Sequence, residues 1–500
     1  TVGGGMKRDS VVLWVFGFLI FGVWIGLQFR TDVKQDRSKL DQFFRYLEYE
    51  YVDTLDIDGL MDDAMDHILS SLDPHSAFIP AEDSEYIAQR MQGNFSGIGV
   101  EFRIHEDTLV FVSIMKNSPA ASYGLLAGDR IITIDGDTVV GPQLTNDEVT
   151  SRIKGEEGTY VTFGIMRDGL HLTAAVQRGI IPLESVVSTQ MLGSLGYVRM
   201  ERFAETTHDE LLVALDRLDS LNMRGLILDL RGNPGGYLHE AVAIADEFLS
   251  EDKSIVITKY GDGKTHTSKA SGGQRYEDLP LHIIIDGSSA SASEVVTGAL
   301  QDHDRATVYG TTSFGKGLVQ EDKILSDGSK VRLTVAYYYT PSGRSIQKPY
   351  EGADLPGQME GTVFTSDSGK VLLASGGIEP DIYLSADSSN SYYWSMSFGT
   401  MDAFAFDQID AQRSDYELWT FERFVTDFEL SDMQLYSFLE YGSYGLTLED
   451  LSSTDMDEIR FLLKAAYAKN IWGFDAYRNV LRTDDVVLKE VVRAASTTLK

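Results

Sequence analysis

Two apolar runs in this chain end in turns built almost wholly of small residues, and a helical period follows each. LILDL, 226–230, runs into RGNPGG and then YLHEAVAIADEFL; LHIIID, 281–286, runs into GSSASAS and then EVVTGALQDHD. A short, continuously apolar run is a strand covered on both faces, and a small-residue turn opening an amphipathic stretch is a helix start. Repeating that unit commits the surrounding block, 185–385, to an α/β layer in which helices cover the sheet. GSLGYVRM, KSIVITKYG, ATVYG and KVRLTVAYYYT supply further strands, and THDELLVALDRLDSL a further helix.

The 500 residues exceed what one core organises, so two to four domains are expected. Residues 31–90 read as helical, broken at Pro74, and fit packing or self-association. From Gly93 to about Arg178 short alternating runs, VEFRI, LVFVSI, DRIITIDGDTV, VTFGIMRDG and LHLTAAVQR, predict a small β-rich module with one or two short helices. From about 388 the chain is acidic and helical and carries no motif with evident chemistry. VVLWVFGFLIFGVWIGLQF, 11–29, is uncharged and follows Lys7 and Arg8. It is long enough to cross a hydrocarbon core of ~30 Å, with the basic end in the cytoplasm and the rest outside it. A retained anchor is favoured over a cleaved signal, because the run is long and lacks an A-x-A-like site. The residues before Met6 read as an upstream remnant.

A net charge of -33 argues against binding a phosphate backbone, so no nucleic acid partner is expected. The absence of cysteine removes disulfides, thiolate nucleophiles and Cys-rich zinc sites. No H-E-x-x-H or comparable spacing occurs, so neither a metal nor a cofactor is expected.

In the glycine turn, Gly232, Gly235 and Gly236 can expose backbone N–H groups at a helix start, which suits an oxyanion hole or a phosphate. The spacing is neither the dinucleotide fingerprint nor the P-loop, and a tight structural connection is an equal alternative. The serine turn contains a capping box, Ser291 to Glu294, and lacks the G-x-S-x-G elbow pattern. A helix over 292–303 carries the chain ~18 Å away and the extended residues 306–311 return it ~20 Å. The loop SFGKGLVQ, 313–320, thus comes back near Ser291 with Lys316 between two glycines. A desolvated lysine can take a serine proton, although an isolated G-K-G is ordinarily a solvated loop. His303 lies at the far end of that helix, and His239 reads as a helix-surface residue and the reserve candidate for the base.

RGNPGG, SASASE, SFGKGLVQ, TPSGRSIQ at 340–347 and GGIEPD at 376–381 resemble, in order and spacing, the carboxy-terminal processing peptidases, or tail-specific proteases. The similarity spans roughly 40–385, and the β-rich module looks like that family's PDZ domain. The resemblance implies a Ser-Lys dyad on a ClpP- and crotonase-like ββα core, with Ser291 as nucleophile, Lys316 as general base and Gln320 orienting the lysine. It implies oxyanion donors at the backbone amides of Ala292 and of the last glycine of the turn, Gly236, with Gly235 as the alternative. It places the substrate's terminal carboxylate on the loop Gly97, Ile98, Gly99 and Val100, with the peptide adding as a strand. Residues 348–375 interrupt the pattern as a surface excursion.

The expected organisation is a cytoplasmic tail 1–10, an anchor 11–29, a helical region 31–90, a PDZ domain 91–180, a protease core 181–387 and a helical acidic region 388–500. The expected activity is that of a single-pass bacterial inner-membrane endopeptidase with its catalytic part periplasmic or otherwise extracytoplasmic. Its partners would be proteins or peptides with accessible C-termini, the membrane, and a second copy through the helical ends. A non-catalytic PDZ scaffold and an acyl-CoA enzyme on the crotonase-like fold are the competing readings.

Overall fold

The computed structural model describes residues 34–350, 363–374, 376–385, 397–416 and 418–499. The expected tail and anchor therefore lie outside the described residues, as do 351–362 and 375 of the excursion. No helix among the described residues is long and apolar enough to cross a membrane.

The chain forms two compact units. The smaller comprises the described residues up to Pro80 together with 322–333. It holds α1 (Lys34–Glu50), α2 (Ile57–Ser70) and β1 (Ala77–Ile79), which pairs antiparallel with residues 330–332. Asp56 caps α2 by accepting from the Gly59 amide at 3.1 Å. The region expected to be helical thus contains a strand after the Pro74 break.

The larger unit begins at α3 (Ala81–Gln92), and β2 (Asn94–Gly97) leads into the β-rich module. There β3 (Val100–His105), β4 (Thr108–Ile114), β5 (Arg130–Ile134), β7 (Tyr160–Arg167) and β8 (Leu170–Gln177) form a sheet in that order. α4 (Pro119–Ser122), β6 (Asp137–Thr138) and α5 (Asn146–Ile153) complete the module, and β9 (Gly179–Pro182) pairs back onto β2. Leu109, Phe111, Ile131, Val149, Val161 and Phe163 fill its core.

The α/β block is built on a six-stranded sheet of β10 (Val186–Leu192), β11 (Leu195–Met200), β12 (Gly225–Asp229), β15 (Leu281–Ile285), β16 (Ala306–Gly310) and β21 (Ile382–Tyr383). β11 to β21 run parallel, and the crossovers are α6 (Thr207–Ser220), α7 (Leu238–Asp246) and α8 (Ala292–Asp302). α6 is helical for readable reasons. Leu211, Leu215 and Leu218 recur at helical spacing and are buried, with Asp209 and Glu210 in the first turn and Arg217 in the last. Alternation along β12 sends Leu226 and Leu228 into the core under the crossover helices. Ile227 faces the other side of the sheet.

Between these elements lie β13 (Ser254–Tyr260) and β14 (Thr265–Lys269), and β17 (Leu318–Ile324) and β18 (Lys330–Tyr339) follow. The described part of the excursion is a hairpin, β19 (Val363–Thr365) and β20 (Val371–Leu373), fastened to the end of α8 by the Asp367 amide on the Asp302 carbonyl.

The C-terminal region carries α9 (Phe398–Ala411), α10 (Arg413–Tyr416), α11 (Phe421–Asp427), α12 (Asp432–Tyr441), α13 (Ser453–Trp472), α14 (Phe474–Arg482) and α15 (Val486–Thr498). Its own core is aromatic, with Phe424 stacked on Phe428 at 4.3 Å. α15 departs from the expected boundary at 388: Val487, Leu488, Val491 and Ala495 pack on Leu195, Tyr197, Ile227, Ile284 and Tyr309. α15 therefore forms a layer on one face of the six-stranded sheet.

Candidate active site

Adjacent parallel strands deliver both small-residue turns to one edge of the sheet. β12 and β15 pair with Asp229 opposite Ile284, so RGNPGG and GSSASAS leave side by side at the carboxyl ends, where open α/β sheets place their sites. Asn233, fully buried, joins them. Its Nδ2 donates to the Met200 carbonyl at 3.0 Å, its Oδ1 accepts from the Gly235 amide at 2.9 Å, and its carbonyl accepts from the Ala290 amide and the Ser293 hydroxyl, both at 3.0 Å. A Cβ on Gly235 would stand 2.7 Å from the Ala290 carbonyl oxygen, 2.8 Å from Ser291 Cβ and 2.9 Å from the Ala292 amide nitrogen. Only glycine permits that approach, and its φ of +96° demands glycine as well.

The four serines separate by environment. Ser289 and Ser293 are buried and donate to the Leu230 and Asn233 carbonyls, so they are structural. Ser288 is exposed. Ser291, half-buried, begins α8 at φ 55° and ψ −113°, a region costly for any residue with a side chain. The sequence lacks the elbow pattern, yet the strand-to-helix turn has the strained backbone that such elbows use to expose a nucleophile. The capping box forms, with the Ser291 amide donating to Glu294 Oε2 at 2.8 Å.

Glu294 does more than cap. Its Oε2 also accepts from the Lys316 amide at 2.9 Å, and its Oε1 accepts from the Ser313 hydroxyl at 2.6 Å and the Gly315 amide at 2.7 Å. One oxygen thus holds the backbones of Ser291 and Lys316 together. Burial pushes this carboxyl above the usual range, and the four donors act in the opposite sense. Tyr338, also buried, places its hydroxyl against the Ser291 carbonyl at 3.0 Å and against the Lys316 carbonyl, stitching the two backbones a second time. Gln347 accepts from the Gly317 amide at 2.8 Å, and Ser313 accepts from the Ile378 amide at 2.6 Å. TPSGRSIQ and GGIEPD thereby support the lysine loop. Arg344, 1% exposed, pairs with Asp302 at 2.6 Å and pins the loop to the end of α8.

Lys316 is half-buried, and its Nζ donates to Gln320 Oε1 at 2.7 Å. Gln320 belongs to β17 rather than to a loop, a correction to the expected SFGKGLVQ loop that gives the glutamine a strand to hold it. Among the described residues, neither the Ala292 nor the Gly236 amide donates to a protein acceptor, whereas the Gly235 amide is taken by Asn233. That difference favours Gly236 over Gly235 as a donor to a ligand. His239 is exposed and lies 3.7 Å from Glu205, as a helix-surface residue would. His303, at the far end of α8, bonds Asp367 and the Ser254 carbonyl.

Beneath the glycine turn, Asp229 is fully buried. It accepts from Tyr197 at 2.8 Å and pairs with Arg231, which also reaches Asp485 at the start of α15. Burial alone would raise the Asp229 pKa, but the Arg231 guanidinium holds it below the usual carboxylate range.

In the β-rich module, Gly97 closes β2 and Val100 opens β3, with Ile98 and Gly99 between them. The Ile98 and Gly99 carbonyls are taken by the Ala120 and Met115 amides, at 2.9 and 3.0 Å. Among the described residues the Ile98 and Gly99 amides have no acceptor, which suits a carboxylate. β3 ends its sheet and leaves one edge open to an added strand.

Asn233, Tyr338, Gln347 and the bridging role of Glu294 were not singled out from sequence. Only Glu294 carried a signal, the capping spacing, and it pointed to a local role.

Residues 194–354 match the family described as Peptidase family S41, 96–177 match the PDZ domain, and 393–473 match a family of unknown function. The chain is 37% identical over 316 residues to the carboxy-terminal-processing protease of Bartonella bacilliformis, covering 62% of this chain and 72% of that protein. It is 33% identical over 329 residues to the carboxy-terminal processing protease CtpB of Bacillus subtilis, covering 64% and 68%. The solved photosystem II D1 C-terminal processing protease is 27% identical, with a TM-score of 0.38 over 70% of this chain and 87% of that one. The scaffold and acyl-CoA readings give way to these relatives: this chain belongs to peptidase family S41, the carboxy-terminal processing proteases, and is a serine-type endopeptidase with a PDZ domain.

Proposed function

We propose that the chain is an extracytoplasmic endopeptidase, anchored through 11–29 with its catalytic part periplasmic, that captures protein C-termini on its PDZ domain and cleaves with a Ser291–Lys316 dyad. The observation that carries the dyad is the shared Glu294 Oε2, which ties the backbones of both residues. Ser291 Oγ attacks the scissile carbonyl carbon as its proton passes to Lys316 Nζ. The carbonyl oxygen becomes an oxyanion held by the Ala292 and Gly236 amides, each contributing about 3 kcal/mol in a dry site. The C–N bond breaks as Lys316 returns the proton to the leaving amine, and water hydrolyses the Ser291 ester by the same route in reverse. Gln320 is a neutral acceptor, so it orients the amine without favouring its charged form as a carboxylate would. No metal or cofactor enters these steps.

Ser291→Ala and Lys316→Ala should each lower kcat by about 10⁴-fold or more with folding retained. Mapping new C-termini in envelope extracts by mass spectrometry, with and without Ser291→Ala, reads this directly. If Lys316→Ala cleaves normally, the dyad assignment fails and His239 becomes the next base to test. The membrane assignment is tested by fractionating cells that express the chain with and without 11–29. Self-association through the helical ends is supported by exposed Leu40, Phe43 and Tyr46 on α1 and is read by sedimentation.

A further inference from the structure

The C-terminal helical region packs on one face of the PDZ sheet, beside the edge that peptides would extend. Along β3, Val100 and Phe102 pack toward the PDZ core. Arg103 and His105 turn the opposite way and meet Asp402 and Asp407 of α9. Phe406 of α9 is buried on Val110 and Val112 of β4, and Arg130 pairs with Asp410 at 2.6 Å. Next to these contacts a cavity of about 280 Å3 is lined by Val100, Glu101, Phe102, Arg103 and Val112 of the PDZ module and by Asp402 and Lys469 of the helical region. Four successive β3 residues line it, so it runs along that strand.

A peptide added to β3 points alternate side chains to opposite faces of the sheet. One set faces the PDZ core side; the other faces this cavity. Lys469 stands on the cavity wall with its side chain 11% exposed, one of its three donors directed to Asp402 Oδ1 at 3.0 Å. Asp402 is itself shared with Arg103 and with Asn470 Nδ2 at 2.9 Å. The wall holds two cations, Arg103 and Lys469, and two carboxyls, Asp402 and Glu101, and is balanced in charge when both carboxyls are ionised, burial raising the Glu101 pKa. A charged substrate side chain of either sign gains no net attraction from it. Among the described residues the Lys469 ammonium donates to Asp402 and stands over the rings of Phe398 and Phe474, at 5.7 and 5.0 Å, and a neutral acceptor can take a further donor.

We propose that the C-terminal helical region forms one wall of the peptide-binding cleft and that Lys469 selects substrate tails carrying an asparagine or glutamine at alternate positions before the terminus. The proposal rests on β3 as the capture edge, and it assigns the segment matched only to a family of unknown function a part in substrate selection.

The test uses the full chain and synthetic peptides with a free C-terminal carboxylate. Glutamine, alanine, glutamate or lysine is placed singly at each of the four positions before the last residue. Glutamine should raise kcat/KM over alanine by about fivefold at alternate positions only, with glutamate and lysine no better than alanine. Lys469→Met should erase that alternation, and Lys469→Arg, which keeps the donors, should restore it. A flat scan in the unmodified chain, or an alternation that survives in Lys469→Met, overturns the wall. The same peptides with a C-terminal amide serve as the control for capture. If amidation leaves cleavage unchanged, the capture reading itself fails and the wall with it; if amidation matters and the scan is flat, only the wall fails.

Discussion

The glycine turn and the serine turn share one plan, a buried strand opening into a helix, and under the proposed mechanism they serve catalysis by opposite means. The glycine turn has to present only an amide, so Gly232, Gly235 and Gly236 take positive φ at little steric cost. The serine turn has to present a side chain, so Ser291 bears φ 55° itself and is held there from outside by Glu294 and Tyr338. A site can dispense with strain where the backbone acts, and must brace it where a side chain acts.

Substituting Gly235 by alanine attacks both turns at once. The added Cβ would lie within 2.9 Å of Ser291 Cβ and of the backbone of Ala290 and Ala292, which cannot move independently of Ser291. A fall in kcat/KM of about 10²-fold is expected, measured alongside a thermal melt that shows the chain still folded. Glu294→Gln separates bracing from capping. It leaves one acceptor oxygen for four donors, so kcat should drop by about tenfold to a hundredfold with KM little changed. An equal rise in KM would show that Glu294 shapes substrate binding instead.

The charged support under the glycine turn gives a pH signature. Asp229 has a native pKa below its unfolded value, so its stabilisation is fully present above pH ~4 and is lost as pH falls through the lower native value. Urea unfolding at pH 5 and pH 3 should therefore show a loss on the acid side. Asp485→Asn removes the negative charge and one of the two acceptor oxygens that face Arg231, and should lower stability by about 1 kcal/mol at pH 7. The smallest effect tests the strain itself: Ser291→Gly should be more stable than Ser291→Ala by about 1 kcal/mol, both being inactive, because only alanine retains a Cβ at positive φ. Equal stabilities would mean that the turn is unstrained.

The strands and crossover helices of the catalytic block were legible because each is a local pattern: LILDL and LHIIID are continuous apolar runs, and Leu211, Leu215 and Leu218 keep helical spacing. Ser291 and Lys316 were readable as candidates through the length of the path between them. What was missed depends on partners far apart in the chain. Nothing in KVRLTVAYYYT distinguishes Tyr338 from Tyr337 and Tyr339 until β13 and the two turns are in place around it. Asn233 looked like a turn residue because its partners, Met200 and Ala290, lie on other elements. β17 went unrecognised because LVQEDKI is polar beyond its first residues and finds its ladder only on β18. The packing of α15 on the sheet had no signal near residue 227, since its partners are drawn from the last turns of the chain.

That packing sets an order of completion during synthesis. The strands carrying both turns are made long before residues 486–498, and until those residues emerge Ile227, Ile284 and Tyr309 lack the side chains of α15 on their face of the sheet. A polypeptide interrupted before α15 leaves the ribosome with an apolar surface in place of a finished layer, and with Arg231 lacking its Asp485 partner. Activity is therefore expected to depend on residues 486–498, which lie far in sequence from Ser291 and Lys316 and pack on the sheet.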